Sequence, residues 1–389
     1  MRRLLLLVSA IVLVDTTFFS ALSPLLPHFT KEFGLSKTDA GILTAAYAAG
    51  GITAALPAGL FASRVGVKPA VLLGLVLMIG TTVAFGLAQS GWVLDTARFG
   101  QGFASAFSWN GALAWLIAAS PRDRRGELIG VAMGAAVGGA LLGPVVGAVA
   151  ALIGTAPAFS AVAVLGGVLA VWAWSTPAYA PGPPQPIRAL LQAVREPRVA
   201  GGIWLVLLPA LLFGAYGVLV PLRFSALGFG AIAIGAAWLL SAGIEAAASP
   251  VLGRWSDRRG RLAPVRIGLV TSIGFSLVIP WIGDRWTLFV VVIFAALAYG
   301  MFWVPGTALL SDGTEAVGLD TAFGFTLLNF AWAPGHVIGS AFGAAIADAS
   351  SDTVSYVILA GLCAATLVAI ERRPVGALAP RSAQSDVRS

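Results

Sequence analysis

"GRWSDRRGRL", residues 253–262, sets five charged residues in ten positions of a chain that is only 11% charged. An apolar run precedes it, "AIAIGAAWLLSAGIEAAASPVL" (231–252), and another follows. A second stretch, "GLFASRVGVK" (59–68), has the same outline. Gly59 aligns with Gly253, Arg64 with Arg258 and Gly66 with Gly260, at an offset of 194 residues. That offset is half the chain. A loop repeated at half length implies two copies of one structural unit.

Composition identifies the solvent of these units. Hydrophobic residues make up 58% of the 389, and mean hydropathy is +0.90. A soluble domain has about 50% apolar and about 25% charged residues. So little polar surface suits lipid rather than water. The net charge of +7 is spread as short basic clusters between apolar runs, not along one face, which excludes a nucleic-acid partner. One cysteine, Cys363, and two histidines, His28 and His336, allow no intrachain disulfide and no thiolate metal site. No metal and no cofactor are expected. No G-x-x-x-x-G-K-[ST], H-E-x-x-H or C-x-x-C stretch occurs, so neither ATP-driven work nor an enzyme is advertised.

A membrane-spanning helix needs about 20 mostly apolar residues. Twelve runs qualify: 4–26, 40–62, 67–89, 92–118, 127–150, 157–175, 200–221, 231–252, 264–283, 286–310, 321–347 and 353–371. They are too long and too continuously apolar for barrel strands. The expected fold is an all-α integral membrane protein, two six-helix bundles around a central cavity. The N-terminal bundle covers 1–175, a cytoplasmic linker 176–199, the C-terminal bundle 200–372 and a flexible cytoplasmic tail 373–389. Within the proline-rich linker, 187–195 reads as a short surface helix. The opening "MRRLLLLVSAIVLVDTTFFSALS" has signal-peptide features, but Asp15 inside its apolar stretch argues for a retained first span. With the N-terminus in the cytoplasm, nineteen of the 24 Lys and Arg fall on the inner side and four on the outer. Positive residues favour the cytoplasm, so both termini are expected there, in the plasma membrane.

Three motifs resemble the major facilitator superfamily, across essentially the whole chain. The loop form G-x-x-x-D-R-x-G-R is matched by Gly253, Asp257, Arg258, Gly260 and Arg261. Its N-terminal copy departs at Ser63 and Val67. "RFGQGFASA" in span four resembles R-x-x-Q-G through Arg98, Gln101 and Gly102. In span five, Gly130, Gly139, Gly143, Pro144 and Gly147 resemble the glycine pattern of antiporter branches. Together they resemble drug:proton antiporters, including the vesicular amine transporter branch. The resemblance implies two rocking halves, a proton-coupling role for Arg98, and loops that latch one conformation by packing against the other half. By that analogy Asp257 faces the start of span five, near Gly126 and Glu127, with Glu127 paired to Arg258 or Arg254. Arg64 belongs to the N-terminal latch.

Asp15 lies about 16 Å into span one at 1.5 Å per residue, near the bilayer midplane. An ionisable group there is costly and is a functional candidate by default; a packing Asp held by a neighbour's hydroxyl is the plainer reading. Arg98 lies about 9 Å below the outer surface. Either it joins Asp15, directly or through Gln101, or it snorkels outward toward Asp95. Glu245, about 12 Å from the inner end of span eight, is the deep carboxylate of the second half and suits a proton or a cationic substrate. Asn110, Asn329 and His336 either line the cavity or bond helices together. Tyr47, Trp109 and Tyr299 are candidate cavity aromatics, as are Tyr216, Trp238, Trp303 and Trp332. Gly139, Gly143 and Gly147 form a flat stripe for another helix, with a kink favoured at Pro144. An acidic residue around position 329 would mark the amine-transporting relatives, and Asn329 departs from it.

The expected activity is proton-coupled export of small hydrophobic or cationic compounds by a monomer in the bilayer, with protons and a small-molecule substrate as partners. Uptake of a nutrient or metabolite, and a non-transporting receptor, remain open alternatives.

Overall fold

A computed structural model describes residues 1–121, 124–179, 193–316 and 321–372, with 316 and 321–326 described by backbone alone. Most of the linker, including 187–192 of the expected 187–195 helix, and the 373–389 tail lie outside the described residues. The described chain forms α1 (Arg2–Ser20), α2 (Leu22–Phe33), α3 (Lys37–Val65), α4 (Val67–Gly86), α5 (Gly91–Ala119), α6 (Arg125–Ile153) and α7 (Thr155–Trp174). After the linker follow α8 (Pro197–Ala226), α9 (Ala231–Arg259), α10 (Leu262–Val278), α11 (Arg285–Gly300), α12 (Trp303–Ala316), α13 (Thr321–Ala349) and α14 (Asp352–Arg372). No strand occurs among the described residues. Eleven helical stretches are long and apolar enough to cross a membrane, with α1–α2 and α11–α12 each forming one broken span. The twelfth span is α5, 29 residues long, with Asp95 and Arg98 in its first turns.

Local sequence sets the helix ends. Ser36 caps α3 by accepting from the Asp39 N–H, while Asp39 accepts from the Ser36 N–H at 2.9 Å. The second glycine of each repeated loop makes the turn. Gly66 (φ 118°) separates α3 from α4, and Gly260 (φ 89°) separates α9 from α10. Backbone in that region carries no penalty for glycine alone. Trp92, Trp281 and Trp286 at one end and Trp174 at the other are all highly exposed, as residues of a membrane interface are.

Each half has its own apolar core. Trp115, Phe85 and Phe159 centre the first; Tyr299, Phe224 and Phe302 centre the second. Between helices, small residues bring backbones together, because lipid supplies no hydrophobic drive for association. A Cβ at Gly139, Gly143 or Gly147 of α6 would overlap the carbonyl oxygens of Leu13 and Thr17 of α1 or of Ala21 at its end. The C-terminal half repeats the arrangement. Gly335, Gly339 and Gly343 of α13 lie against Leu207, Leu211 and Ala215 of α8. Leu207, Leu211 and Ala215 stand 194 residues beyond Leu13, Thr17 and Ala21, the offset of the repeated loops. Gly130, by contrast, touches nothing within 4 Å, so this member of the span-five motif packs no helix here.

The halves meet where α3 packs on α13 and α6 on α9. These contacts lie away from the arginine-rich loops, at what we call the far end. There Gly41 fits over the Ser340 carbonyl and Ala344, and Gly235 over the Pro144 carbonyl and Ala148. Lys37 pairs with Asp352 at 2.6 Å, and the Thr38 hydroxyl donates to Asp348 at 2.7 Å. Toward the arginine-rich end, the same face of α6 presents Gly134 and Gly130, and neither has an atom within 4 Å of a Cβ position. Thus α6 and α9 diverge toward that end.

Overpacking typically costs about 1–3 kcal/mol, so Gly143→Val should lower the thermal midpoint of the detergent-purified protein by several degrees. Gly134→Val should leave it unchanged or slightly higher, since helical glycine is intrinsically unfavourable by about 1 kcal/mol relative to alanine.

Candidate functional site

The first span breaks where the buried charges gather. Pro24 has no N–H to offer the Ser20 carbonyl, and α1 gives way to α2 at Ala21. Arg98 of α5 serves the carbonyls at this break. Its Nη1 donates to Phe18 O at 2.9 Å and its Nη2 to Phe19 O at 2.7 Å. A cation suits the end of a helix, where the macrodipole is negative. Nη1 also donates to Gln101 Oε1 at 3.1 Å, and Gln101 Nε2 reaches Thr82 Oγ1 at 3.4 Å.

Asp15 is 6% exposed. Its Oδ2 accepts the Tyr47 hydroxyl at 3.0 Å and the Ser105 hydroxyl at 2.8 Å, while Oδ1 is buried without a partner. The Arg98 guanidinium stacks over the Tyr47 ring, 4.8 Å from its centroid. The expected Asp15–Arg98 pair, direct or through Gln101, is therefore not formed. The break in α1 occupies the guanidinium, and Gln101 turns toward α4. Tyr47 stands between the two charges instead, its hydroxyl on one and its ring under the other. Its backbone gets this close to α5 because Gly102 has no side chain; a Cβ there would overlap the Tyr47 carbonyl.

From Tyr47 a chain of rings crosses to the other half. Phe19 lies 5.3 Å from Tyr47, 5.2 Å from Trp332 and 5.2 Å from His336. Trp332 and His336 of α13 stack at 5.3 Å and 15°. The Nε2 atom of His336 is buried without a partner. Tyr47 and His336, both read from sequence, thus share one cluster with Asp15 and Arg98. Phe19, Ser105 and Thr82 were missed. Helical spacing marks the first two, since Phe19 follows Asp15 by one turn and Ser105 follows Gln101 by one turn.

Other candidates stand apart. The Glu245 carboxylate lies over Gly300 of α11, in space a Cβ would fill. Asn329 is exposed, two turns before His336 on the same face of α13. Asn110 is exposed, and Trp109 packs on the N-terminal core. Tyr299, expected at the cavity wall, is fully buried and shares a 2.9 Å hydrogen bond with Ser276 inside the C-terminal half.

The charged loop also differs from expectation. Arg261 bridges Asp257 at 3.2 Å and Asp312 of α12 at 3.0 Å, within its own half. Glu127 pairs with Arg124 at 2.8 Å, not with Arg258 or Arg254. Arg258 and Arg64 are exposed. Because α6 and α9 diverge here, these carboxylates find partners at home.

Residues 8–335, and again 246–388, match the family model described as Major Facilitator Superfamily. The chain belongs to the major facilitator superfamily. It is accordingly a membrane transporter and not an enzyme. A "Chloramphenicol resistance protein" of Streptomyces lividans is 27% identical over 348 residues, 87% of this chain and 88% of that one. A "Probable sugar efflux transporter" of Helicobacter pylori (strain G27) is 27% identical over 131 residues, 34% of this chain and 33% of that one. Among solved structures of this fold, a bacterial homologue of the lysosomal transporter Spinster, inward-facing and unoccupied, superposes with a TM-score of 0.73 at 17% identity. The match covers 94% of this chain and 93% of that one. A D-xylose–proton symporter gives 0.72 at 15% identity, covering 94% and 96%.

Hydrogen bonds to charged groups contribute about 1.5–3 kcal/mol each. Arg98→Lys, whose single ammonium cannot reproduce the planar fork, should therefore destabilise the purified protein by about that amount. Chemical or thermal denaturation in detergent would measure it.

Proposed function

We propose that this transporter is a proton-coupled antiporter that exports small hydrophobic compounds, and that Asp15 carries the coupling proton. The observation that carries this reading is the half-satisfied Asp15 carboxylate, joined through Tyr47 and Phe19 to Trp332 and His336 of the opposite half. A proton on Asp15 removes the charge to which Tyr47 and Ser105 donate. The Tyr47 ring is then freed to move relative to Arg98, and Phe19 moves with it against α13. Protonation at one side of the ring chain thereby biases how the halves sit. The same rings offer an apolar aromatic wall to a substrate between the halves.

The resistance in the name of the Streptomyces lividans relative and the efflux in that of the Helicobacter pylori relative support export. The positive-inside bias puts the arginine-rich end, where α6 and α9 diverge, in the cytoplasm. A substrate entering there meets Asn329 before the rings. Glu245, beside which no cation stands among the described residues, is the group a cationic substrate would use.

Asp15→Asn keeps an acceptor for Tyr47 and Ser105 but cannot titrate. In proteoliposomes with an imposed pH gradient it should fold and bind substrate yet lose gradient-driven flux at least about tenfold, which is about 1.4 kcal/mol of coupling. Undiminished flux would remove Asp15 from the mechanism, and flux in the opposite direction would make the protein an importer.

A further inference from the structure

Between α4 and α7, on the lipid-facing surface, lies an apolar groove of about 460 Å³. Leu72, Val76, Ala170, Val171 and Trp174 line it. Val76, Val171 and Trp174 are 60%, 72% and 73% exposed, so no other helix covers it. At the arginine-rich end the groove continues into a second hollow formed by Lys68, Pro69, Leu72 and Trp174. Lys68 Nζ donates to the Trp174 carbonyl at 2.6 Å and sits 5.9 Å from the Trp174 ring. Arg3 of α1 reaches Ser175, the next residue, at 2.8 Å. Among the described residues neither cation is paired with a carboxylate.

We propose that this groove is a binding site for an anionic phospholipid of the arginine-rich leaflet. One acyl chain lies along Leu72, Val76 and Val171, and the phosphate is held by Lys68 and Arg3 beside the Trp174 indole. Length, depth and charge agree. From Lys68 to Val76 is about 12 Å along α4, a path from the interface into the hydrocarbon. Lys68 retains two N–H donors beyond the one given to Trp174. Two unpaired cations at the mouth select a net negative headgroup over a zwitterion. The plainer role, capping the end of α7, accounts for one Lys68 hydrogen bond but not for the open apolar channel that leads to it. The site is independent of the proposed transport cycle.

The test is native mass spectrometry of the full chain, purified in detergent and supplied with equimolar dioleoyl phosphatidylglycerol and dioleoyl phosphatidylcholine. Wild type should retain phosphatidylglycerol preferentially. One basic side chain near a membrane surface is worth about 1 kcal/mol, or about fivefold, so Lys68→Gln should cut that preference about fivefold. Val76→Trp, which fills the groove without changing charge, should reduce retention of both lipids at this site. Equal retention of the two lipids by wild type would overturn the proposal. So would a preference untouched by both substitutions in protein whose melting temperature is unchanged. If Lys68→Gln lowers the melting temperature, Lys68→Arg, which keeps the charge, must preserve the preference for the proposal to stand.

Discussion

The closest constraint on this molecule is the contact of backbone with backbone where α1 lies against α6. Three glycines one turn apart let the carbonyls of Leu13, Thr17 and Ala21 reach the opposite helix. In lipid, where apolar side chains gain nothing by leaving their solvent, close packing and polar contacts must hold helices together. That contact fixes the roll of α1, and the roll of α1 aims Asp15 between α3 and α5. The matching contact of α13 with α8 fixes the roll of α13 and so places Trp332 and His336. The Asp15 cluster and its ring chain are thus downstream of two glycine stripes, one in each half.

Packing and chemistry come apart in the span-five glycines. Gly139, Gly143 and Gly147 have a steric duty, and an equivalent stripe stands in the second half, where no antiporter pattern was read. Their spacing is explained without reference to coupling. Gly130 and Gly134 lie on the face turned toward α9, in open space. They are small where the halves separate, so a later approach of α9 along this face would meet no side chain.

Much of this architecture was legible in the chain itself. Apolar run length announced the spans, and the loop repeat at 194 residues announced two like halves, because both features follow from local composition. The glycine at the end of each loop copy was visible as a motif, and its reason is the positive φ of the turn. Asp15 stood out because a carboxylate at midplane depth is costly. What did not show was pairing. Which group a buried Arg98 serves depends on the helix break at Ala21, three residues before Pro24, which frees the Phe18 and Phe19 carbonyls for it. Tyr47 stands out in the sequence as an aromatic, but its place between Asp15 and Arg98 requires the α3–α5 crossing at Gly102. Likewise the partners of Asp257 and Glu127 depend on how far apart α6 and α9 stand at one end, a property of the conformation rather than of the residues.

The separation of α6 and α9 at that end bears on how easily the molecule changes state. At the arginine-rich end the ion pairs of Arg261 with Asp257 and Asp312, Arg124 with Glu127 and Arg266 with Glu371 each lie within one half and are partly or fully exposed. Such pairs contribute about 0–1 kcal/mol. Trading an internal partner for one across the gap exchanges like for like. The charged loops therefore add little ruggedness to the path between arrangements, and the balance between them is left to deeper and fewer contacts. Under the proposed coupling role of Asp15, a change of charge at that one carboxylate would compete with few ionic contacts at this end.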